Sequence, residues 1–323
     1  MACSMGTVLV AIGTVLASEA TAGEPGYPNK PVRWVVPYAA GGPTDLVARL
    51  VGQKLAERWG QQIVVDIRPG ANSIIGSEIV ARAAPDGYTL LVALPAFAIN
   101  PSVYRKLPYH TESDFKPVIQ IASAPYLVLA NPALPARSIR ELVALAKARP
   151  GQLSFGSGGT ASPAHLAMEL LSLQARVRME HVPYKGGAPA LTDLMTGEIQ
   201  ALINPALSAM PFVKAGRLRI LAVTSAKRSS LLPEVPTVAE SGLPSYEVTT
   251  WYGLFAPGKT PAPVVQKVNA DVAQVLRDPG IRKRLGELDA APVASSPEEF
   301  SGFVREEIAK WGGVVRKAGI RIQ

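Results

Sequence analysis

From Val32 onward the chain alternates short aliphatic runs with segments of helical apolar spacing, a pattern that few architectures accept. Val32–Val36 reads as a strand. After a Gly-Pro break, Leu46, Val47, Leu50, Val51 and Leu55 fall on one helical face that stops at Gly60. Ile63–Ile67 predicts the next strand, Ile74, Ile75, Ile79 and Val80 the next helix, and Thr89–Leu94 a third strand. The rhythm returns with strands at Leu127–Ala130, Leu153–Phe155, Arg178–Val182, Ala201–Ile203 and Ile220–Val223. Helices between them are marked by Ile139, Leu142, Val143 and Ala146, then Leu166, Leu170 and Leu171, then Leu191–Met195 and Met210–Val213. Such alternation predicts an α/β fold with mostly parallel sheets.

The last hundred residues break the rhythm. Thr260-Pro261 opens a helix bearing Val264, Val265, Val268, Val272 and Val275, which Asp278-Pro279 closes. Ser296-Pro297-Glu298-Glu299 forms a capping box ahead of Phe300, Phe303, Val304, Ile308, Trp311 and Val315 on one face. These amphipathic helices need a sheet to cover, and the N-terminal third begins one. The arrangement predicts a discontinuous first domain, residues 27–123 plus 226–323, with a second domain, 124–225, inserted. Two chain crossings then form a hinge over a cleft.

Three glycine turns follow strands and open helices: Tyr38 to Asp45 (YAAGGPTD), Gly156 to Pro163 (GSGGTASP) and Tyr184 to Pro189 (YKGGAP). Each places proline near the first helical position, with free backbone N–H groups at the positive end of a helix dipole. Helix N-termini at the carboxyl ends of strands are ready anion sites. Asp45 suits a ligand ammonium or the dipole of its own helix. Ser157, Thr160 and Ser162 can donate to a carboxylate, while Ser162 also suits an N-cap. His165 can donate to an anion from the first turn of its helix, and Lys185 can supply a counter-charge.

Other chemistry finds little support. Lys and Arg number 33 against 25 Asp and Glu, a net charge of +8, but the excess is scattered and no basic stripe is interleaved with aromatics. That argues against a nucleic-acid partner. Three separated histidines and the single Cys3 give neither a zinc spacing nor a disulfide framework. Gly156 to Ala161 fits G-x-G-x-x-A after a strand, with Glu180 ending the next one, so a dinucleotide-binding oxidoreductase is the competing reading. Its position in mid-chain and the following Ser162-Pro163 count against it, and neither a nucleophile elbow nor a Walker sequence is present.

At the N-terminus, Thr7 to Ala17 is an apolar run of 11 residues in an uncharged stretch, and Ala20-Thr21-Ala22 fits cleavage before Gly23. Residues 1–22 therefore read as a signal peptide, although no basic residue precedes the apolar run.

The stretches YPNKPVRWVVPYAAGGPTDLVAR (27–49), RPGANSIIGSEIVARAAPDGYTLL (68–91), FGSGGTASPAHLAMELL (155–171), VPYKGGAPALTDLMTGEIQ (182–200) and KAGRLRILAVTSAKR (214–228) occur in a specific order. With PEVPTVAESGLPSYEVTTWYGLFAPGKTPAPVV (233–265), this set resembles the Bug-type periplasmic solute receptors of tripartite tricarboxylate transporters, over the whole chain from Tyr27. The resemblance implies a type II-like periplasmic binding protein, two α/β domains with a hinged ligand cleft. It implies capture of a small carboxylate (a di- or tricarboxylate, amino acid or aromatic acid) and delivery to transporter subunits or a sensor kinase. A monomer without cofactor or enzymatic activity is expected. Carried over residue by residue, the ligand set is Tyr38, Ala39, Gly41, Gly42, Thr44 and Asp45, then Ser157, Gly158, Gly159, Ser162 and His165, with Tyr184, Lys185 and Gly186 closing the far wall. Two departures stand out: Gly70 to Ile74 lacks the family's more regular glycine run, and Asn204 stands where relatives often carry an acid. A neutral Asn204 disfavours an ammonium and favours a simple acid.

Overall fold

The computed structural model describes residues 26–320, so the expected signal peptide lies outside the described residues. β1 (Val32–Val36) lies between β2 (Ile63–Ile67) and β3 (Thr89–Ala93), parallel to both. The connecting helices are α1 (Pro43–Trp59), α2 (Ile74–Ala81) and α3 (Ala96–Val103). Gly60 ends α1 in a left-handed conformation, φ 63°, and its N–H bonds back to the Ala56 carbonyl.

The central element is β4 (Phe115–Ala130), 16 residues long. Its first part pairs antiparallel with β9 (Thr249–Pro257), which in turn pairs antiparallel with β3. Beyond Pro125 the strand changes partners and pairs antiparallel with β7 (Ala201–Pro205) and β8 (Arg219–Val223). Sequence patterning marks only Leu127–Ala130, because Pro117 and Pro125 interrupt the run. The β4–β9 register shifts between Pro117 and Ile119, next to a residue that has no N–H to give the ladder. The sheet is thus more mixed than alternation predicts: parallel at both ends, antiparallel where these long strands pass.

Beyond β7 lie β5 (Ser154–Ser157) and β6 (Glu180–Pro183), with β5 parallel to both β6 and β7. Helices α4 (Ile139–Ala148), α5 (Pro163–Ala175), α6 (Gly187–Thr196) and α7 (Ala206–Lys214) connect these strands. The chain does not leave this group at residue 226. Val238 N–H bonds to the Val223 carbonyl, Val248 N–H to the Thr224 carbonyl, and the Tyr246 hydroxyl to the Ala167 carbonyl at 3.0 Å. Only with Thr249 opposite Pro125 does it rejoin the first sheet.

The C-terminal helices are α8 (Ala262–Val275), α9 (Pro279–Glu287) and α10 (Pro297–Ala318), with β10 (Ala291–Pro292) pairing β4. Asp278-Pro279 does not close α8; the Asp278 carboxylate accepts from Gly280 N and Ile281 N and so opens α9. Ser296 and Glu299 form the expected reciprocal cap of α10. α8 packs with α1 over Trp34, burying Val47, Val51, Leu55, Val265, Val268 and Val272. Phe300 and Trp311 of α10 join a second core containing Phe97, Trp251 and Phe255, which continues through Phe155, Leu166 and Leu171. α10 contacts α5 as well as α3, so one helix backs both strand groups. Among the described residues no helix is long and apolar enough to cross a membrane.

Candidate functional site

The turn after β1 is shaped by its own side chains. Gly41 has φ 76°, a conformation that suits glycine, and its N–H donates to Asp45 Oδ2 at 2.9 Å. Asp45 Oδ1 lies 2.7 Å from Arg49 Nε. The buried Asp45 carboxylate therefore braces the loop rather than facing outward as an ammonium partner. Gly42 is the N-cap of α1 with no side-chain cap, Pro43 follows, and Thr44 is buried. This leaves first-turn amides of α1 as the donors of this end. Tyr38 accepts from Leu94 N–H at 3.2 Å, and its hydroxyl is held well above the ordinary phenol range by burial. Ala39 and Gly41 are exposed.

The turn after β5 is clamped from below. Ser157 is fully buried and its hydroxyl donates to the Gly159 carbonyl at 2.9 Å. Ser162 caps α5 by accepting from His165 N–H. His165 is buried, and its Nδ1 accepts from Ala161 N–H at 2.9 Å. The ring works on the turn, not toward a ligand. Gly158 and Gly159 stay half-buried at the tip.

The third turn lies directly against the second. Tyr184 N–H bonds to the Ser157 carbonyl at 3.0 Å. A Cβ added to Gly158 would lie 3.5 Å from Gly187 N, and one on Gly187 would lie 2.7 Å from Asn204 Oδ1. A side chain at 187 would therefore displace the Asn204 amide, which lies against the turn. Gly186, φ 112°, caps α6 with no side-chain partner, and Lys185 is exposed. Tyr184 turns its hydroxyl away, donating to Asp193 Oδ2 at 2.7 Å; burial and then this hydrogen bond push it up to about 12. Buried Asn204 donates to Ser208 Oγ at 2.6 Å.

The structure thus brings Ser157 to Gly159, Tyr184 to Gly187 and Asn204 together at the carboxyl ends of β5, β6 and β7. Tyr38 to Asp45 stand at the carboxyl end of β1, in the other strand group. Two features escaped sequence reading. Ala71, Asn72 and Ser73 all have positive φ, and Asn72 Nδ2 donates to Asn100 Oδ1 while Asn100 Nδ2 donates to the Asn72 carbonyl; the signal was the Gly70-Ala71-Asn72 turn composition. His181 stacks on His165 and bonds Ser157, and no local motif announces it. A cavity of about 720 Å³ lined by Tyr104, Tyr109, His110 and Ile308 includes none of these turns.

Residues 47–320 match the model of the tripartite tricarboxylate transporter family receptor. The chain belongs to that receptor family. It is similar to the adipate-bound Rpa4515 of R. palustris, with 38% identity and a TM-score of 0.80 over 92% of this chain and all of that one. The periplasmic binding protein BugD gives 34% identity and a TM-score of 0.77 over 92% of this chain and all of that one. MatC of Rhodopseudomonas palustris with bound malate gives 34% and 0.75 over 90% of this chain and all of that one. The fold is that of the periplasmic binding proteins, and the receptor is a solute-binding protein rather than an enzyme. The oxidoreductase reading of Gly156 to Ala161 is thereby overturned: those glycines shape a receptor turn.

Proposed function

We propose that this receptor binds a small dicarboxylate between the turn after β1 and the paired turns after β5 and β6, in a cleft that closes about two chain crossings. The observation that carries this reading is how the turns use their side chains. Asp45, Ser162 and His165 are engaged within their own loops, while α1 and α6 begin without side-chain caps. Main-chain amides at two helix N-termini stay free as donors, an arrangement that selects an anion. Tyr38, Ala39, Gly41, Gly42 and Thr44 form one wall; Ser157, Gly158, Gly159, Tyr184, Lys185 and Gly186 form the other. Neutral Asn204 leaves an amino-acid ammonium without a carboxylate partner there, which favours a simple acid such as those held by Rpa4515 and MatC.

The hinge of this reading lies at Pro125–Tyr126, where β4 changes partners, and at Val248–Thr249. Thr224 joins the two: its N–H bonds to the Tyr126 carbonyl, its hydroxyl accepts from Tyr126 N–H at 2.8 Å, and its carbonyl accepts from Val248 N–H. The two units become 27–125 and 249–320 on one side, and 126–248 on the other.

Adipate and malate, with adipamide as the uncharged control, test the reading by thermal shift and calorimetry. Ligand at ~100 times its dissociation constant stabilises by about 2.7 kcal/mol, which raises the melting temperature by roughly 5–10 °C. A shift with adipamide equal to that with any acid sinks the carboxylate reading.

The receptor acts as a monomer in the periplasm, delivering its ligand to membrane transporter subunits or a sensor kinase. Residues 1–22 direct export. The mature protein released by osmotic shock is expected to begin near Gly23; mass analysis finding Met1 intact in the cell interior overturns this.

A further inference from the structure

Beneath the second glycine turn, the imidazoles of His165 and His181 stack face to face, with ring centroids 3.6 Å apart and planes 10° from parallel. Phe155 packs near both rings, at 5.9 Å from His165 and 5.1 Å from His181. Both imidazoles are tied to the turn above. His165 Nδ1 accepts the Ala161 N–H, which fixes the His165 proton on Nε2, 3.6 Å from Glu169 Oε1. His181 Nε2 lies 2.7 Å from Ser157 Oγ. The Ser157 hydroxyl already commits its single proton to the Gly159 carbonyl, so His181 Nε2 is the donor of that pair. A relay therefore runs from His181 through Ser157 to Gly159, while His165 holds Ala161.

Gly159 has φ 134° and Ala161 has φ 58°. The second is a conformation an alanine rarely keeps unless its surroundings hold it. Two of the side-chain bonds to this turn come from these histidines.

We propose that the stacked His165–His181 pair is the positioning element of the second glycine turn, fixing Ser157 to Ala161 in the conformation that presents its amides, and that added protons loosen it. The affinity part of this inference rests on the function proposed above. The conformational part does not.

Protonation acts on the His165 contact and on the stack itself. A proton on His165 Nδ1 removes the acceptor of the Ala161 N–H. A proton on His181 puts charge into a half-buried stack, where burial and then the neighbouring His165 lower its pKa to about 4. Glu169 on α5 faces His165, exposed Glu180 precedes His181 on β6, and exposed Lys185 lies in the third turn. β5 contributes the uncharged Phe155 and Ser157. Because the folded pKa of His181 lies below its ordinary 6.5, the unfolded chain binds more protons in this range. The contribution of His181 to stability is complete above about 6.5 and is lost as pH falls toward about 4.

Hydrogen exchange read by mass spectrometry tests the inference on the full chain, with residues 157–161 compared against β3 as an internal reference. After correction for intrinsic exchange, wild-type protection of the turn is expected to be at least tenfold lower at pH 4 than at pH 7, with β3 changing less. His181→Phe keeps a ring for the stack but has no donor; at pH 7 it should lower turn protection about tenfold and flatten the pH response. His181→Gln restores an N–H donor and should return protection to within threefold of wild type. Adipate affinity at pH 7 should follow the same order, tenfold weaker in the Phe variant and within threefold in the Gln variant. Equal turn protection at both pH values in the wild type overturns the inference, and that arm needs no variant. Equal losses in the turn and β3 overturn it as well, since they reveal only global loosening. If no carboxylate binds the wild type, the receptor ligand reading falls while the exchange measurement still decides this one.

Discussion

Gly158→Asp is expected to weaken carboxylate binding at least a hundredfold while leaving the fold intact. The fold survives because a Cβ at 158 meets its nearest neighbours, the backbone of Gly186 and Gly187, at 3.5 Å, which is ordinary van der Waals contact. What changes is the electrostatics of the tip. The new carboxylate hangs beside the uncapped start of α6, where it competes for the donors a ligand would use and repels a second anion. Hydrogen bonds to a charged acceptor contribute about 1.5–3 kcal/mol each. Losing two costs about 3–6 kcal/mol, or more than a hundredfold in affinity. Gly42→Asp is the matching change on the other wall. Its Cβ lies 3.3 Å from the Ala39 carbonyl, so a small adjustment of that exposed loop accompanies it. Calorimetry with adipate on both variants, alongside circular dichroism, reads the result. Wild-type affinity in both folded variants removes the two turns from the binding site.

Much of this arrangement is legible in the sequence because its elements announce themselves locally. Strands β1, β2 and β3 are aliphatic runs, and α5 and α10 begin at Ser-Pro steps whose serines do cap them. What sequence reading loses is anything decided by how elements meet. β4 is four times longer than the run Leu127–Ala130, since its prolines hide a strand whose irregularities the β9 ladder absorbs. The return to the first sheet comes at Thr249 rather than residue 226, because a polar, proline-rich stretch folds back on β8 by main-chain bonds that composition does not reveal. At the site, the glycines locate the turns, but whether a side chain faces outward or braces its own loop depends on the folded geometry. Asp45 and His165 turn inward. His181 becomes visible only when β5 and β6 lie side by side and bring its ring over a histidine sixteen positions earlier.

The second large effect is expected far from the turns, at Glu307 on α10. Its side chain is almost fully buried, and Oε2 accepts from two indoles, Trp251 Nε1 at 3.1 Å and Trp311 Nε1 at 3.0 Å. Lys310 pairs with Oε1. Trp251 belongs to β9, just past the crossing where the chain rejoins the first sheet, so one carboxylate fastens the long C-terminal helix to a strand beside the proposed hinge. Both indoles are fully buried, and Glu307→Ala leaves their N–H groups without an acceptor, Lys310 without its partner and a void where the side chain stood. Breaking a buried charged network by removing one member costs about 3–5 kcal/mol. At ~2–4 °C per kcal/mol for domains of this size, the melting temperature should fall by roughly 6–20 °C. Glu307→Gln retains an oxygen for the indoles but loses attraction for Lys310, and should lose about half as much. Trp311→Phe removes one donor and keeps the ring. In combination with Glu307→Ala it should add less than its single effect, because the contact it would break is already gone. Thermal denaturation of the four variants measures this directly. A melting temperature for Glu307→Ala within a degree of wild type would show that α10 is held by its apolar face alone, through Phe300 and the aliphatic residues beside it.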